Sequence, residues 1–308
     1  NTTSIDFSKY FIAKSYGFNV ALGLEYRLDK YKIFSGEETS YSSYDINGEL
    51  VDSNTSAQNY RTFNGNVRPG GSQGFPGYSI DNEINRDRSN YSIYSDVEFD
   101  FSNKFMIGTA LRYEYYSDFG STLNFKLASR YKITPKFNLR SSYSTGFRAP
   151  SLAQVYYNLT FTNFIGDVPT ESFLIANNNP IARSFNIDKL KEEKAKNFSF
   201  GFTTKLSSNF NATIDAYFVS IKDRIILSGN FDASFLGLGV ENVQFFANGV
   251  DTETKGLDVV LNWKKTFNNS KVSIDLSGNV NHMSISKIKN RLLDRETFFG
   301  KREQQFLL

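Results

Sequence analysis

One histidine, His282, and no cysteine stand in a chain of 308 residues, and these two counts bound its chemistry. Without thiols there is no disulfide, no thiolate metal site and no cysteine nucleophile. A histidine-ligated metal centre needs more imidazoles than exist, and a serine triad would have to be built on His282 alone. That residue reads as a surface or lumen histidine. Asp251, Glu253, Lys255 and Asp258 lie close together, but on an alternating segment they read as charges lining a wet interior, not as an acid–base pair. The glycine-rich run Gly65 to Gly77 lacks the Gly-Lys-Ser/Thr ending of a phosphate loop, and no helical pattern follows it. It reads as a turn-rich surface connection. We therefore expect no catalytic residue, no metal ligand and no cofactor. Lys+Arg 35 against Asp+Glu 32 leaves a net charge of +3, which gives no pull towards nucleic acid.

The elements that carry these residues are set by a period of two. From Tyr91 to Phe101, Phe105 to Tyr115, Leu123 to Ile133 and Phe137 to Phe147, large apolar residues fill most odd positions while polar or small residues fill the even ones. Phe198, Phe200, Phe202 and Leu206 share a face, as do Phe210, Ala212, Ile214, Ala216 and Phe218. Leu257 to Trp263, Val272 to Val280 and Val20 to Leu28 repeat the pattern. Counting one more strand before Ser15, the chain reads as about ten antiparallel strands, each long enough to cross a bilayer when tilted. Ile93, Val97, Phe99, Leu111, Leu123, Phe125, Leu127 and Leu139 are expected on the lipid side. No apolar run approaches the ~20 residues of a membrane helix.

Short turns at 102–104, 134–136, 207–209 and 266–270 alternate with long connections at about 29–90, 148–196, 229–249 and 287–308. On the long side only 117–121 is short. A soluble β-sandwich also alternates apolar and polar residues. Long strands of similar length, long loops on one side, and aromatics near strand ends (Tyr113, Tyr115, Tyr116, Tyr143, Phe147, Phe198, Trp263) favour a membrane barrel instead. Aromatics are abundant, with Phe 30, Tyr 18 and Trp 1.

Several strings then point further. Ser144-Thr145-Gly146-Phe147-Arg148-Ala149-Pro150-Ser151 closely resembles the "S-x-G-F-R-A-P-S" segment of TonB-dependent outer-membrane receptors. Arg112-Tyr113-Glu114-Tyr115-Tyr116-Ser117-Asp118-Phe119-Gly120-Ser121 is similar to that family's "RYE-x-YSDFGST" strand and turn. Leu190-Lys191-Glu192-Glu193-Lys194 before Asn197-Phe198-Ser199 resembles its "L-K-P-E-K-S-x-N-x-S" entry to a strand, with Glu192 where proline is usual. Asp215-Ala216-Tyr217, Ile221-Lys222-Asp223-Arg224-Ile225 and Thr254-Lys255-Gly256-Leu257-Asp258 are similar to further barrel strands.

The resemblance implies an all-β fold, an antiparallel transmembrane barrel of about 22 strands, of which residues 1–308 would form part of a single barrel domain. It implies a bacterial outer-membrane location, a plug domain, and import of a scarce solute (siderophore-iron, cobalamin, glycan or similar) with energy from the TonB-ExbB-ExbD complex. The chain shows no signal peptide, plug-like segment or TonB box, so it reads as an internal portion. Partners are then the lipid bilayer, a small solute and the TonB complex, with no nucleic acid. Arg148, Arg112 and Glu114 are expected in plug or lumen contacts. Gly146 is expected where another backbone approaches closely or the strand bends, and Pro150 where the ladder stops. The aromatic residues Tyr156, Tyr157, Phe161 and Phe164 of the second long connection, with Phe173, are candidates for ligand contact or for packing within the loop. The alternatives are an envelope adhesin that binds a protein partner, and an outer-membrane hydrolase with His282 as base.

Overall fold

Alternating side chains can only be used by a backbone that pairs on both edges, and that pairing dominates the computed structural model of the chain. The structure describes residues 1–13, 16–63, 66–68, 70–71, 76–165, 168–233, 235 and 242–289. In chain order its strands are β1 (Thr2–Ala13), β2 (Tyr16–Ile33), β3 (Thr62–Phe63), β4 (Asn66–Val67), β5 (Ile84–Asp100), β6 (Phe105–Tyr116), β7 (Gly120–Thr134) and β8 (Phe137–Arg148). After helix α1 (Leu152–Tyr156) come β9 (Leu159–Ile165) and β10 (Val168–Leu174), then helix α2 (Pro180–Ser184). Last are β11 (Glu193–Lys205), β12 (Phe210–Leu227), β13 (Phe231–Asp232), β14 (Asn242–Gln244), β15 (Phe246–Thr266) and β16 (Lys271–Ile288). Ten of them form one open sheet in the order β1-β2-β5-β6-β7-β8-β11-β12-β15-β16, with every neighbour antiparallel. The wall does not close on itself: β1 and β16 are its two edges. No helix among the described residues is long and apolar enough to cross a membrane, which says nothing of strands.

Register keeps the two faces separate. Ile5, Leu24, Ile93, Tyr113 and Leu123 are cross-strand partners in one row, and so are Leu139, Phe202, Ile214 and Val259 in another. The opposite face carries Glu25, Ser92, Glu114 and Thr122 in register. Because the strand period is two, a slip of one residue would exchange these faces, so the apolar rows pin the register. On the polar face the Tyr94 ring lies over Gly23 and the Tyr217 ring over Gly256, where any Cβ would collide with the ring. Glycine is required there by the close approach of the ring.

The apolar face has nothing packed on it among the described residues. Leu123 is 62% exposed and Leu276 63%, and Ile93, Leu111, Phe125 and Leu127 are likewise exposed. A water-soluble sandwich would cover this surface with a second sheet. The eight residues expected on the lipid side all share this outward register.

Several strands run further than their alternation indicated. The first long connection spans 34–83 rather than 29–90, the second 149–192 rather than 148–196, and the third 228–245 rather than 229–249. β16 continues to Ile288, and of the stretch 287–308 only residues up to 289 are described. Backbone pairing continues past the point where side chains cease to alternate. Asp29, Lys30 and Lys32 are paired with Arg88, Asp87 and Asn85 although both faces are polar there.

The densest packing is in the connections. β13, β14, β10 and β9 form a separate four-stranded sheet. Together with α2 it encloses Ile175, Ala182, Ile187, Phe231, Val243 and Phe245, with Phe173 and Phe185 against them. Phe185, Phe231 and Phe245 meet with ring centroids 5.2–5.8 Å apart. Each large side chain so buried contributes roughly 1.5–3 kcal/mol. Asn177 fastens this cap to the wall: its amide donates to the Phe246 and Asp188 carbonyls at 3.0 Å, and its oxygen accepts from the Leu190 N–H. Helix α2 begins at Asn179, whose side chain accepts from the Ile181 N–H beside Pro180.

Candidate functional site

The polar face of the wall is a series of charge pairs within a strand, between neighbours and across an intervening strand. On β6, Arg112 and Glu114 are two residues apart and therefore share a face. The Arg112 guanidinium bonds Glu114, Glu25 of β2 at 3.1 Å and Ser92 of β5 at 2.9 Å, and lies 5.6 Å from the Tyr94 ring centroid. The Tyr94 hydroxyl donates to Asp6 of β1, so the network crosses four strands. Arg140 makes a two-pronged pair with Asp215. Two strands from Arg112, Arg148 at the end of β8 grips Glu193 at the start of β11 with both Nε and Nη2. Glu193 also accepts the Ile225 N–H at 2.7 Å. Of the three residues expected in plug or lumen contacts, Arg112 and Glu114 come together and Arg148 stands apart with a partner in the wall itself.

A second knot explains the turn after β6. Arg88 is buried and donates to Asp118 Oδ2 from Nε at 2.8 Å and from Nη2 at 2.5 Å. Its guanidinium also lies 5.5 Å from the Phe119 ring, which stacks on Tyr116 at 4.5 Å. Arg27 donates to the Tyr116 hydroxyl at 3.0 Å, and Phe147 meets the Tyr116 ring edge-on at 5.7 Å. Tyr116 and Phe147, grouped with the interface aromatics by sequence, thus pack around the turn instead. The positive φ of 95° at Gly120 closes that turn.

Three other expectations change. A Cβ at Gly146 would meet nothing within 4 Å, so no close approach demands glycine there among the described residues. Glu253 and Lys255 do not face the polar side with Asp258. They fall in the outward register of Leu257, and the Lys255 ammonium lies 5.7 Å from the outward Phe218 ring. Asp251 joins a cluster at a bulge between β12 and β15, where Lys289 bonds Asp223 at 2.6 Å and Asp251 at 2.8 Å and Lys191 reaches Asp223 at 3.1 Å. His282 is exposed opposite Lys255 on the outward side of an edge strand.

The aromatic candidates divide between two places, and Tyr156 and Tyr157 lie where the first two long connections meet. The Arg86 guanidinium sits 5.3 Å from the Tyr156 ring. The Tyr157 hydroxyl is 3.3 Å from that of Tyr78, with the rings edge to face, and the Asn82 amide donates to Asn158 Oδ1 at 2.5 Å. Burial, and then the bond with Tyr78, push the Tyr157 phenol above its ordinary range. Phe161 lies on β9 opposite Ser172, and Phe164 is placed on the same strand. Phe173 packs against the cap core. Tyr156 and Tyr157 therefore join two connections, while Phe161, Phe164 and Phe173 belong to the cap.

Chemically, the polar face offers fixed donors and acceptors along a hydrated surface. Its strongest charges are neutralised in pairs, and among the described residues no group of three or more His, Asp or Glu is placed to hold a metal ion. Glu25, Asp6, Asp215, Glu193 and the Arg88–Asp118 pair escaped the sequence reading. Each pairs across strands, and only the register could have revealed it.

The profile of the family described as "TonB dependent receptor-like, beta-barrel" matches residues 2–302. The chain belongs to that family. Its members are transport receptors of the Gram-negative outer membrane. Among solved structures, the siderophore receptor PirA from Acinetobacter baumannii aligns over 94% of this chain and 37% of its own, at 16% identity and a TM-score of 0.56. The RagAB peptide transporter aligns over 94% of this chain and 30% of its own, at 17% identity and TM-score 0.60. The Pseudomonas aeruginosa ferric enterobactin receptor PfeA (Q482A mutant), in complex with enterobactin, aligns over 91% and 35%, at 15% identity and TM-score 0.59. These likenesses show the fold, and the chain spans only about a third of each such protein. No curated protein matches the chain.

Proposed function

We propose that this receptor wall serves an outer-membrane importer that captures a scarce solute at the end carrying the long connections and moves it inward with energy from TonB, ExbB and ExbD acting on a plug domain. The supporting observation is the two-faced sheet: an uncovered apolar face for lipid, and a charged, internally paired face for a hydrated passage. The cargo is of the siderophore or peptide kind that the structurally similar PirA, PfeA and RagAB carry in their names. Arg112 and Glu114 would face the plug, with Arg148 at the mouth, and the junction of Tyr156 and Tyr157 with the cap would frame the entrance. No catalytic step is assigned. Transport requires only affinities that differ between a closed and an opened passage. The test is accumulation of labelled ferric siderophores and short peptides by cells expressing the intact receptor, with and without TonB. Uptake of one of these that disappears without TonB is the expected result. Uptake that persists unchanged without TonB would remove the reading.

A further inference from the structure

Beside the glycine-rich run, of which residues 65, 69 and 72–75 lie outside the described residues, the first connection holds an arrangement that the uptake reading does not use. In the connection 34–83, β3 and β4 form a two-residue ladder in which Thr62 faces Val67 and Phe63 faces Asn66. The next facing pair is Arg61 and Arg68, joined by the Arg68 N–H donating to the Arg61 carbonyl at 2.7 Å. Two like charges directly opposite each other destabilise a ladder, and a ladder this short has little else to hold it. Both arginines line one polar cleft of about 140 Å³, with Thr39, Ser42 and Ser43. Among the described residues neither guanidinium has a carboxylate within ion-pair distance, and the Arg68 side chain and the three hydroxyls have no hydrogen-bond partner. Arg61 uses Nε on the Asp45 carbonyl at 2.7 Å, which fixes the side chain and leaves both Nη atoms for the cleft.

The carboxylate of Asp45, the residue whose carbonyl Arg61 holds, is otherwise engaged. The Asp45 carboxylate accepts the Asn47 and Glu49 N–H groups at 2.8 and 2.9 Å, and those bonds, Glu49 first, hold it below the usual carboxylate range. The floor of the cleft requires glycine. Gly71 has φ +72°, its N–H donates to the Ser42 carbonyl at 2.9 Å, and a Cβ there would strike the backbone of Ser40. A Cβ on Gly70 would come within 2.5 Å of the Ser43 hydroxyl. The two glycines thus bring the arginine hairpin against the hydroxyl-bearing segment.

We propose that Arg61 and Arg68, with the hydroxyls of Thr39, Ser42 and Ser43, form a binding site for a small oxyanion group, a phosphate, sulfate or carboxylate carried by a soluble molecule. Facing guanidinium forks can share one such group between them, which turns their mutual repulsion into joint attraction. Binding is measured without uptake, so this site stands or falls separately from energised import.

The test is calorimetric titration of the intact, detergent-solubilised receptor at low ionic strength with inorganic phosphate, sulfate and acetate, chloride serving as control. Saturable binding of at least one oxyanion is expected, weakened about tenfold or more by Arg68→Ala and less by Arg68→Lys. Lys30→Ala, on an exposed lysine of β2, should leave it unchanged. Arg61→Ala also removes the bond to Asp45 and can loosen the connection, so Arg68→Ala, whose side chain bonds nothing else among the described residues, carries the decision. Heats equal to chloride for all three anions, or binding unaffected by Arg68→Ala in a folded receptor, would overturn the site. Binding that appears only with vesicles of anionic lipid, and with no free anion, would overturn it too.

Discussion

The wall and the cap use the same residues in opposite senses. In the wall, Val280 is 76% exposed and its register partner Leu257 44%, while Arg112, Glu114 and Glu193 are turned inward and paired. In the cap, Val243, Phe245 and Ile175 have no exposure at all. A strand that must meet lipid on one side and water on the other has no interior, so its order comes from the ladder and from the solvent on each side. The cap needs a core of its own, as any small soluble domain does, and that core runs on into the wall at Ala247 and Val250 of β15. A phenylalanine here therefore says little until its surroundings are known.

That difference can be broken from the cap side first. Phe245→Ala removes the ring at the centre of the cap and should cost about 3–5 kcal/mol locally. The expected outcome is rapid proteolysis within 228–245 while the barrel keeps its folded mobility in unheated gels. Loss of the folded barrel as well would mean that wall and cap are one cooperative unit.

From the wall side, Leu127→Arg places a charge on the lipid face and should cost about 2–4 kcal/mol, whereas Lys126→Arg on the polar face should cost little. Reversible unfolding from vesicles measures both. Equal effects at the two positions would contradict the facing. At the seam, Glu193→Ala removes the partner of Arg148 and the acceptor of the buried Ile225 N–H. About 1–3 kcal/mol should be lost, read as faster amide exchange at Ile225. Unchanged exchange there would detach Glu193 from the seam.

The contrast also explains what was legible in the sequence. Leu123, Phe125 and Leu127 announced their face because lipid tolerates no polar residue among them. Arg112 and Glu114 were legible as one-sided because two residues always return to the same face of a strand. Their partner Glu25 was not, since it lies 87 residues from Arg112 and is brought close only by the intervening strands. Strand ends were misjudged at Ile33 and Ile84, where the ladder continues with polar residues on both sides. Packing within the second connection was one of the two readings for Phe161, Phe164 and Phe173, but the core shared with the third connection was invisible. Phe173, Phe185, Phe231 and Phe245 come from two connections and show no period, because their common core is assembled in three dimensions.

The smallest expected effect lies where the first two connections join. Tyr157→Phe keeps the ring against Tyr78 and deletes only the hydroxyl contact at 3.3 Å, a loss of about 0.5–1.5 kcal/mol. Its pH dependence is more telling than its size. Burial and the Tyr78 bond raise the Tyr157 phenol above its ordinary value, so the folded junction holds the proton longer than the unfolded chain does. The junction's contribution is then complete below the unfolded tyrosine value of about 10 and is lost as pH rises through the folded value. Amide exchange across 78–82 and 156–158 should accelerate in that alkaline range in the native protein. In Tyr157→Phe the same segments should exchange somewhat faster at neutral pH and lose most of the alkaline step. An alkaline step of undiminished size in the variant would assign the titration to another group and free Tyr157 from the junction.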